Sequence, residues 1–316
     1  MSETATSPFA FLRKWFRRPA KKSSGPSAPD DAAKEMQRLI NIIDSRTERH
    51  AVAVSSLKGG VTKTTTTLGM GTAFALHRRE PVLAIDANPH RGNLADRLGV
   101  NPAYTVRDLA FNAPQIATNS MFRHFVAQAP SRLEVMTSES NPDEAQAFDA
   151  SEYGIVIDLA SRFRELLITD TGIDLTLPLM DEVYKTTDTL VVPATTAMDA
   201  AQLAWETLNW WESKGRGDLV ERAVVAITQI EAFTIPKTAT WTQGEITERR
   251  YAFEEQQHAR QLELGRRFGP RVGTVVFVPY DPALRTGGLF VWDELTPATR
   301  EAYVRIAAAV AGQFES

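Results

Sequence analysis

The stretch that decides the fold is Ser55-Ser56-Leu57-Lys58-Gly59-Gly60-Val61-Thr62-Lys63-Thr64-Thr65-Thr66-Thr67. An apolar run at 51–54 leads into it, and a helix-compatible run at 68–76 follows it. Strand, glycine-containing loop, lysine, hydroxyl and helix is the order that a phosphate-binding loop requires. Glycines adopt backbone angles that are closed to other residues, so successive N–H groups can turn inward around an anion, and the following helix adds its unpaired N–H groups. The stretch therefore predicts a nucleotide site.

The residue types in this stretch, called the phosphate loop over 55–65, have separate predicted roles. Lys63 can reach the β- and γ-phosphates, and Thr64 can offer its hydroxyl to Mg²⁺. The usual loop pattern has glycine immediately before the lysine, where this chain has Thr62, and an additional lysine precedes the glycine pair. The predicted nucleotide contacts in the loop are Lys58, Gly59, Gly60, Val61, Thr62, Lys63, Thr64 and Thr65.

Lys-Gly-Gly-x-x-Lys-Thr-Thr over 58–65 resembles the deviant Walker A motif of the ParA/MinD family of ATPases. The resemblance runs from about residue 51 to the C-terminus and is strongest at 55–67. It implies ATP and Mg²⁺ as ligands and a homodimer in the ATP state that encloses the nucleotides. It also implies that Lys58 reaches across this dimer to the ATP of the partner.

Seven apolar runs of β type alternate with helical stretches, at 51–54, 82–85, 133–136, 166–169, 189–192, 223–227 and 274–278. Continuous rather than alternating hydrophobicity is typical of strands that are buried on both faces of a parallel sheet. We predict an α/β three-layer sandwich with a mainly parallel sheet of roughly seven to eight strands between helices, of the P-loop NTPase class. Ligands of such sheets bind at the carboxyl ends of the strands, where the phosphate loop would lie.

The second run ends in Asp86 and continues Ala-Asn-Pro-His-Arg-Gly-Asn-Leu to residue 94, which resembles the switch segment of the family. The resemblance places Asp86 near Mg²⁺ and gives Asn88 the position of a second acid that orients or activates the attacking water. An amide holds water but cannot take its proton, and such assistance is typically worth about 10²–10⁴-fold. We therefore predict slow, partner-stimulated hydrolysis, with His90 or Asp96 as substitutes for the missing acid. The alternative is a switch that scarcely hydrolyses ATP and stays ATP-bound.

The run at 166–172 ends Thr-Asp-Thr-Gly and resembles the Walker B strand of the family. Asp170 would hold the Mg²⁺ shell, directly or through water. The resemblance thus implies two sets of site residues. The metal set is Thr64, Asp86 and Asp170, and the catalytic set is Lys58, Lys63, Asp86 and Asn88.

Two later strand ends supply candidates for contact with the base. Gln229 follows the run at 223–227, at a place where many relatives have an asparagine that reads the adenine edge. Pro279, Tyr280 and Asp281 follow the last run, and in the family this loop also contacts the base. The preference for adenine over guanine rests on the resemblance alone.

Between these strands lies a long polar insertion at 237–272, in which arginines alternate with glutamates. Relatives that segregate DNA carry basic residues towards this end of the chain, which makes Arg266, Arg267 and Arg271 candidates for DNA contact. A solvated helix with many ion pairs is the alternative interpretation.

We divide the chain into an N-terminal tail with a short predicted helix at 1–48 and an ATPase domain at 49–316. The formal net charge is −4, yet residues 1–29 carry six lysines and arginines against one glutamate. Residues 9–18 mix aromatic and basic side chains, which is suited to a weak membrane or protein contact, or to a solvated tail. The chain contains no cysteine, so it has no disulfide, no thiol nucleophile and no cysteine-held iron–sulfur cluster.

Two downstream roles follow from the resemblance. The favoured one is partition of DNA or a plasmid, with nonspecific DNA binding and a ParB-like partner. The alternative is docking on a membrane-associated machine for division, conjugation or secretion through residues 9–18. We predict a cytoplasmic protein that associates with the nucleoid in the first role and with a membrane in the second. A metabolic ligase is disfavoured because no second substrate site is visible, and a bacterial tyrosine kinase because no C-terminal tyrosine cluster is present.

Overall fold

The computed structural model describes residues 28–45, 49–57, 59–88, 92–138, 149–172 and 174–314. Lys58, His90 and the segment 9–18 lie outside the described residues, so the predictions made for them remain predictions. The strands are β1 (His50–Val54), β2 (Val82–Ala87), β3 (Ala127–Gln128), β4 (Glu134–Met136), β5 (Leu166–Thr171), β6 (Thr189–Thr195), β7 (Val224–Thr228) and β8 (Thr274–Val278).

The strands form one sheet in the order β3-β4-β2-β5-β1-β6-β7-β8. All neighbouring strands run parallel except β3, which pairs antiparallel with β4 at the edge. The seven apolar runs correspond to β1, β2 and β4 to β8, so the predicted mainly parallel α/β sandwich is confirmed. The strand missed by the sequence, β3, has only two residues and therefore shows no pattern.

Helices cover both faces of this sheet. They are α1 (Ala28–Ile43), α2 (Lys63–His77), α3 (Leu94–Leu98), α4 (Val106–Asn112), α5 (Asn119–Phe122), α6 (Ala150–Ser161), α7 (Pro178–Thr186), α8 (Met198–Ser213), α9 (Gly217–Arg222), α10 (Gln243–Phe268) and α11 (Pro297–Ala311). One apolar core joins the sheet to α4 and α6 to α10. The other joins it to α1, α2, α3 and α11.

The predicted N-terminal helix is present as α1 and packs on the domain. Leu39 and Ile43, from the apolar stripe of this helix, are 4% and 0% exposed. They join the core formed with α2 and α11, and Glu35 lies 3.8 Å from Arg305 of α11. The predicted boundary at residue 48 assigns α1 to the tail, whereas its packing places it with the ATPase domain.

His50 is the first residue of β1 and lies at the amino ends of the central parallel strands, opposite the phosphate loop. Its Nε2 is 2.8 Å from Thr189 Oγ1, and its ring centroid is 4.6 Å from that of Phe314. Burial is the main cause that lowers the pKa of His50 to about 4. The charge of Asp188 opposes this shift, and the charges of Arg222 and Arg78 add to it. The folded protein therefore holds this imidazole neutral.

We expect this histidine to make the fold sensitive to acid. Because the pKa is lower in the folded chain than in the unfolded chain, stability from the neutral ring is lost as pH falls from about 6.5 to about 4. The loss approaches about 3 kcal/mol by linkage. Urea unfolding at several pH values should show a smaller loss for His50→Gln than for the wild type across this window. Equal losses in the two proteins would contradict the assignment.

Candidate functional site

The phosphate loop joins the carboxyl end of β1 to α2, and the segment behind it holds it in place. The Ser55 N–H donates to the Val191 carbonyl oxygen at 3.0 Å, which continues the pairing of β1 with β6. The Leu57 N–H donates to Thr207 Oγ1 at 3.2 Å, and the Trp211 indole N–H donates to Ser55 Oγ at 3.1 Å. Thr207 and Trp211 both belong to α8, so this helix fixes the position of the loop.

Two of the described positions in the loop have positive φ. Gly60 has φ 77°, which a glycine adopts without strain. Thr62, at the place where the usual pattern has glycine, has φ 65° and ψ 23°. A β-branched residue in this region stores strain on the order of 1–3 kcal/mol. The backbone thus keeps a glycine-like conformation with threonine, and Thr62 Oγ1 shares a hydrogen bond of 3.1 Å with Thr228 Oγ1 of β7.

The two predicted acids lie side by side under this loop. Asp86 of β2 and Asp170 of β5 are partners in the parallel register of these strands. The Thr64 hydroxyl donates to Asp170 Oδ2 at 2.7 Å. Asp170 Oδ1 is buried, and no described residue donates a hydrogen bond to it. The structure therefore brings together Thr64, Asp86 and Asp170, the residues predicted for the metal.

The pair of carboxylates is buried and electrostatically unfavourable without a cation. Burial and, to a smaller extent, the negative charge of Asp170 raise the pKa of Asp86 to about 7. Burial also raises the pKa of Asp170, whereas the positive charge of Lys63 lowers the pKa of both acids. Lys63 thus compensates part of the negative charge from the first turn of α2.

The donor set fits Mg²⁺ better than a softer metal. It consists of two carboxylates and a hydroxyl, which are hard oxygen ligands. Within the described ranges, no cluster of three or more His, Cys, Asp or Glu side chains forms a metal cage. Mg²⁺ is usually held by one or two carboxylates together with phosphate oxygens and water, which matches this arrangement.

The described parts of the switch segment, residues 86–88 and 92–94, lie against the Asp86 carboxylate. The backbone N–H groups of Asn88 and Leu94 donate to the Asp86 carboxylate, each at 3.2 Å. The Gly92 N–H donates to Ser138 Oγ at 3.0 Å. A Cβ atom on Gly92 would lie 1.9–2.0 Å from the carboxyl atoms of Asp86, so only glycine fits this approach. The sequence interpretation assigned no role to Gly92 or Ser138.

We expect Gly92→Ala to impair the site without unfolding the chain. The added methyl group must displace either the switch segment or the Asp86 carboxylate. Displacement of the carboxylate would move it out of the predicted cation site. Mg²⁺-dependent nucleotide binding should weaken by at least about tenfold, which corresponds to about 1.4 kcal/mol. Calorimetric titration with and without Mg²⁺ tests this. Gly217→Ala on α9 is the control, because a Cβ atom there would meet only Glu212 Cγ, at 4.0 Å. Unchanged Mg²⁺-dependent affinity in Gly92→Ala would contradict the geometry.

Three of the candidates for base contact, Gln229, Pro279 and Tyr280, directly follow the carboxyl ends of β7 and β8. The Gln229 N–H donates to the Val278 carbonyl oxygen, and its side-chain amide donates to the Glu231 carbonyl oxygen, both at 2.9 Å. Pro279 and Tyr280 are half-buried at the end of β8. These three residues lie at the same edge of the sheet as the phosphate loop.

Asp281 has a structural role that the sequence interpretation did not anticipate. It is 4% exposed, and its two carboxylate oxygens accept the backbone N–H groups of Ala283 at 3.0 Å and Thr296 at 2.8 Å. Both oxygens are thus used to close the loop between β8 and α11. The carboxylate of Asp281 thus points into its own loop, and contact of this residue with a base stays a prediction.

The three arginines predicted to contact DNA do not form a free basic patch. Arg271 donates to Glu212 at 2.7 Å, and its guanidinium lies 4.5 Å from the Trp205 ring centroid. Arg267 lies 5.4 Å from the same ring and donates to Gln202. Trp205, Gln202 and Glu212 all belong to α8. Arg266 remains exposed.

The insertion that carries these arginines is largely the single long helix α10. Over its 26 residues α10 buries Gln257, Leu264 and Phe268. The helix carries five arginines and five glutamates and is therefore electrically balanced. A capping box between Thr242 and Glu245 stabilises its N-terminus.

A glycine-containing phosphate loop between β1 and α2, with acids on two adjacent parallel strands, defines a P-loop nucleotide-binding protein. The chain belongs to the CobQ/CobB/MinD/ParA nucleotide binding domain family, whose model matches residues 52–310. The resemblance inferred from the phosphate loop is therefore confirmed. Among the described residues, no helix combines the length and the apolar character needed to cross a membrane.

Solved structures of this family share the fold. The chain is similar to a ParA family ATPase from Chlorobium tepidum, with a TM-score of 0.61, 16% identity, and coverage of 82% of this chain and 97% of that one. It is also similar to the cell division ATPase MinD of Pyrococcus furiosus, with a TM-score of 0.55, 18% identity, and coverage of 83% and 98%. At these identities the likeness concerns the fold alone.

A curated relative has higher sequence identity. The chain is 30% identical over 268 residues to the ESX-1 secretion-associated protein EspI of Mycobacterium tuberculosis, which covers 84% of this chain. The same match covers 37% of EspI, so the chain spans a little over a third of the length of that relative.

Proposed function

We propose that the chain is an ATP-dependent switch ATPase that dimerises in the ATP state. The observation that carries this proposal is the contact of 2.7 Å between the Thr64 hydroxyl and Asp170, beside Asp86 and under the phosphate loop. Family membership supports a nucleotide as the ligand. The two structural neighbours described above are ATPases by name, which supports ATP as that nucleotide.

In this proposal each residue positions or neutralises a part of the nucleotide. Lys63 binds the β- and γ-phosphates, and the Thr64 hydroxyl, Asp86 and Asp170 would hold Mg²⁺. Bound there, Mg²⁺ would supply neutralisation of phosphate charge, which together with positioning is most of what phosphoryl transfer needs. Asn88 holds the attacking water without taking its proton, so hydrolysis is slow. Lys58 acts on the ATP of the partner subunit.

Calorimetric titration with ATP tests the nucleotide site directly. Wild-type protein should bind ATP in the presence of Mg²⁺, and Asp170→Asn should lose most of the Mg²⁺ dependence because a buried carboxylate is replaced by a neutral amide. Thr189→Ser, at the edge of the sheet opposite the loop, is a control that should leave binding unchanged. Absence of ATP binding to the wild type would refute the proposal.

The output of the switch is a change of partner affinity between the ATP and ADP states, because a ligand shifts a conformational equilibrium only by its preference for one state. We propose that the partner belongs to a secretion machine. The relative EspI is secretion-associated by name and matches most of this chain. The balanced charge of α10 and the contacts of Arg267 and Arg271 with α8 leave little basic surface for DNA on the insertion at 237–272. Docking through residues 9–18 is part of this proposal.

Retention on random-sequence DNA separates this role from partition. The full chain and a chain that begins at Ala28, which keeps α1 and its buried Leu39 and Ile43, are compared in Mg-ATP and Mg-ADP at low and physiological salt. We expect no ATP-dependent retention of the shorter chain. ATP-dependent retention that survives the truncation, and that Arg266→Glu weakens, would favour DNA partition with a ParB-like partner instead.

A further inference from the structure

Arg97 is a buried arginine on α3, immediately after the switch segment. It is 8% exposed, and burial lowers its pKa. A guanidinium removed from water is tolerated only when its donors are paired. No motif in the sequence marks this residue, yet its hydrogen-bond partners lie on two other segments, α2 and the loop that precedes α11.

The hydrogen bonds of Arg97 join three separate parts of the chain. Its Nη1 donates to Thr65 Oγ1 at 2.5 Å, in the first turn of α2. Its Nε donates to the Gly288 carbonyl oxygen at 3.2 Å, and its own carbonyl oxygen accepts the Phe290 N–H at 2.6 Å. Arg97 is therefore bonded to the phosphate-loop helix on one side and to residues 285–291, called the rim loop, on the other.

The rim loop leans on α3 beyond these two hydrogen bonds. A Cβ atom on Gly99, at the end of α3, would lie 3.3 Å from Leu289 Cδ2, so the Leu289 side chain rests over this glycine. Phe290 is 6% exposed and anchors the loop in the core. Leu289 and Val291 are 61% and 39% exposed, so the loop presents apolar side chains to the outside. A displacement of α3 would carry this surface with it.

The other end of α3 is tied to the predicted cation site. The N–H of Leu94, the first residue of α3, donates to Asp86. A ligand that changes the position of the Asp86 carboxylate therefore acts on the start of α3. Thr65, which Arg97 contacts, is itself a predicted phosphate contact. Both routes from the phosphate site converge on Arg97.

We propose that Arg97 is a positioning residue that couples occupation of the phosphate site to the position of the rim loop. The inference rests on the proposed nucleotide site and goes beyond it, because it assigns an output surface on the chain. Occupation of the phosphate site moves the rim loop through the two side-chain hydrogen bonds of Arg97. The movement displaces the exposed side chains of Leu289 and Val291.

The absence of cysteine from the chain allows a single reporter. The exposed Thr286 of the rim loop is replaced in Thr286→Cys and labelled with an environment-sensitive fluorophore. The probe ligand is inorganic tripolyphosphate with Mg²⁺, which has no base and so cannot reach the rim loop as a nucleotide base might. We expect tripolyphosphate to change the fluorescence of the labelled protein when Arg97 is intact. Most of this change should be lost when Arg97→Met is added.

Two controls separate coupling from loss of the site. Calorimetry at the same time measures tripolyphosphate binding, and fluorescence is compared at saturation of each variant. Thr65→Val, which keeps Arg97 but removes its acceptor, should also lose most of the change, whereas Arg107→Met on α4 should keep it. A full response in Arg97→Met, or none in the wild-type background that binds tripolyphosphate, would overturn the coupling. Failure of the wild type to bind tripolyphosphate or ATP would instead refute the nucleotide site.

Discussion

Lys63→Ala is expected to weaken Mg-ATP binding by on the order of 100-fold or more. The lysine is the predicted partner of the β- and γ-phosphates, and hydrogen bonds to charged groups each contribute about 1.5–3 kcal/mol. Its positive charge also lowers the pKa of Asp86 and Asp170, so its removal leaves this pair less compensated. Both effects act against an anionic ligand, and equilibrium titration with Mg-ATP measures their sum.

Lys185→Ala serves as the matched control for this loss. Lys185 is an exposed lysine on α7 that pairs with Glu182, so its replacement removes one positive charge without touching the loop. Net charge is then equal in the two variants, and only the local contribution differs. Lys63→Ala protein that binds Mg-ATP as tightly as Lys185→Ala protein would exclude the phosphate loop as the nucleotide site.

Asn88→Asp is expected to raise the ATP turnover rate by on the order of 10²-fold, towards the lower end of what a general base contributes. The Asn88 N–H donates to Asp86 Oδ1 at 3.2 Å, which places the residue beside the predicted cation site in the switch segment. A carboxylate there can take a proton from the attacking water, whereas the amide can only hold it. Single-turnover measurements of phosphate release give the rate.

The comparison that isolates the base uses Asn88→Ala. This variant also removes the amide but adds no carboxylate, so a faster rate in Asn88→Asp alone identifies proton transfer as the cause. Equal rates in Asn88→Asp and the wild type would show that Asn88 is not the cause of slow turnover. In that case His90 or Asp96 would be the next residue to test.

Much of the architecture is predictable because its signals are local. Each apolar run that becomes a buried parallel strand is continuous in sequence, and the phosphate loop is one uninterrupted motif. The acids follow the same logic, since Asp86 and Asp170 each end an apolar run and meet because parallel strands share an edge. The side-by-side register of these two residues is thus a consequence of topology.

The remaining features depend on contacts between distant segments. Arg97 reaches Thr65 and Gly288, which lie 32 and 191 residues away in the chain. Gly92 is required because the backbone crosses the Asp86 carboxylate, a distance that no spacing reveals. Asp281 resembles a site residue by position, but its carboxylate satisfies backbone N–H groups of its own loop. Such roles follow from tertiary hydrogen bonds rather than from a motif.

The arginines of α10 illustrate the same limit for surface charge. The alternation of arginine and glutamate is visible in the sequence, but the stacking of Arg267 and Arg271 on Trp205 is not. Two of the three arginines predicted to contact DNA are therefore held against α8. For this reason we propose docking on a secretion machine rather than DNA partition.

Mass determination by light scattering tests most directly whether ATP converts a monomeric switch into a dimer. We expect a mass of two chains in Mg-ATP and of one chain in Mg-ADP. Lys58→Ala should remain monomeric in both, while calorimetry shows that it still binds ATP. The same mass in Mg-ATP and Mg-ADP, with the nucleotide shown to be bound, would contradict ATP-dependent dimerisation.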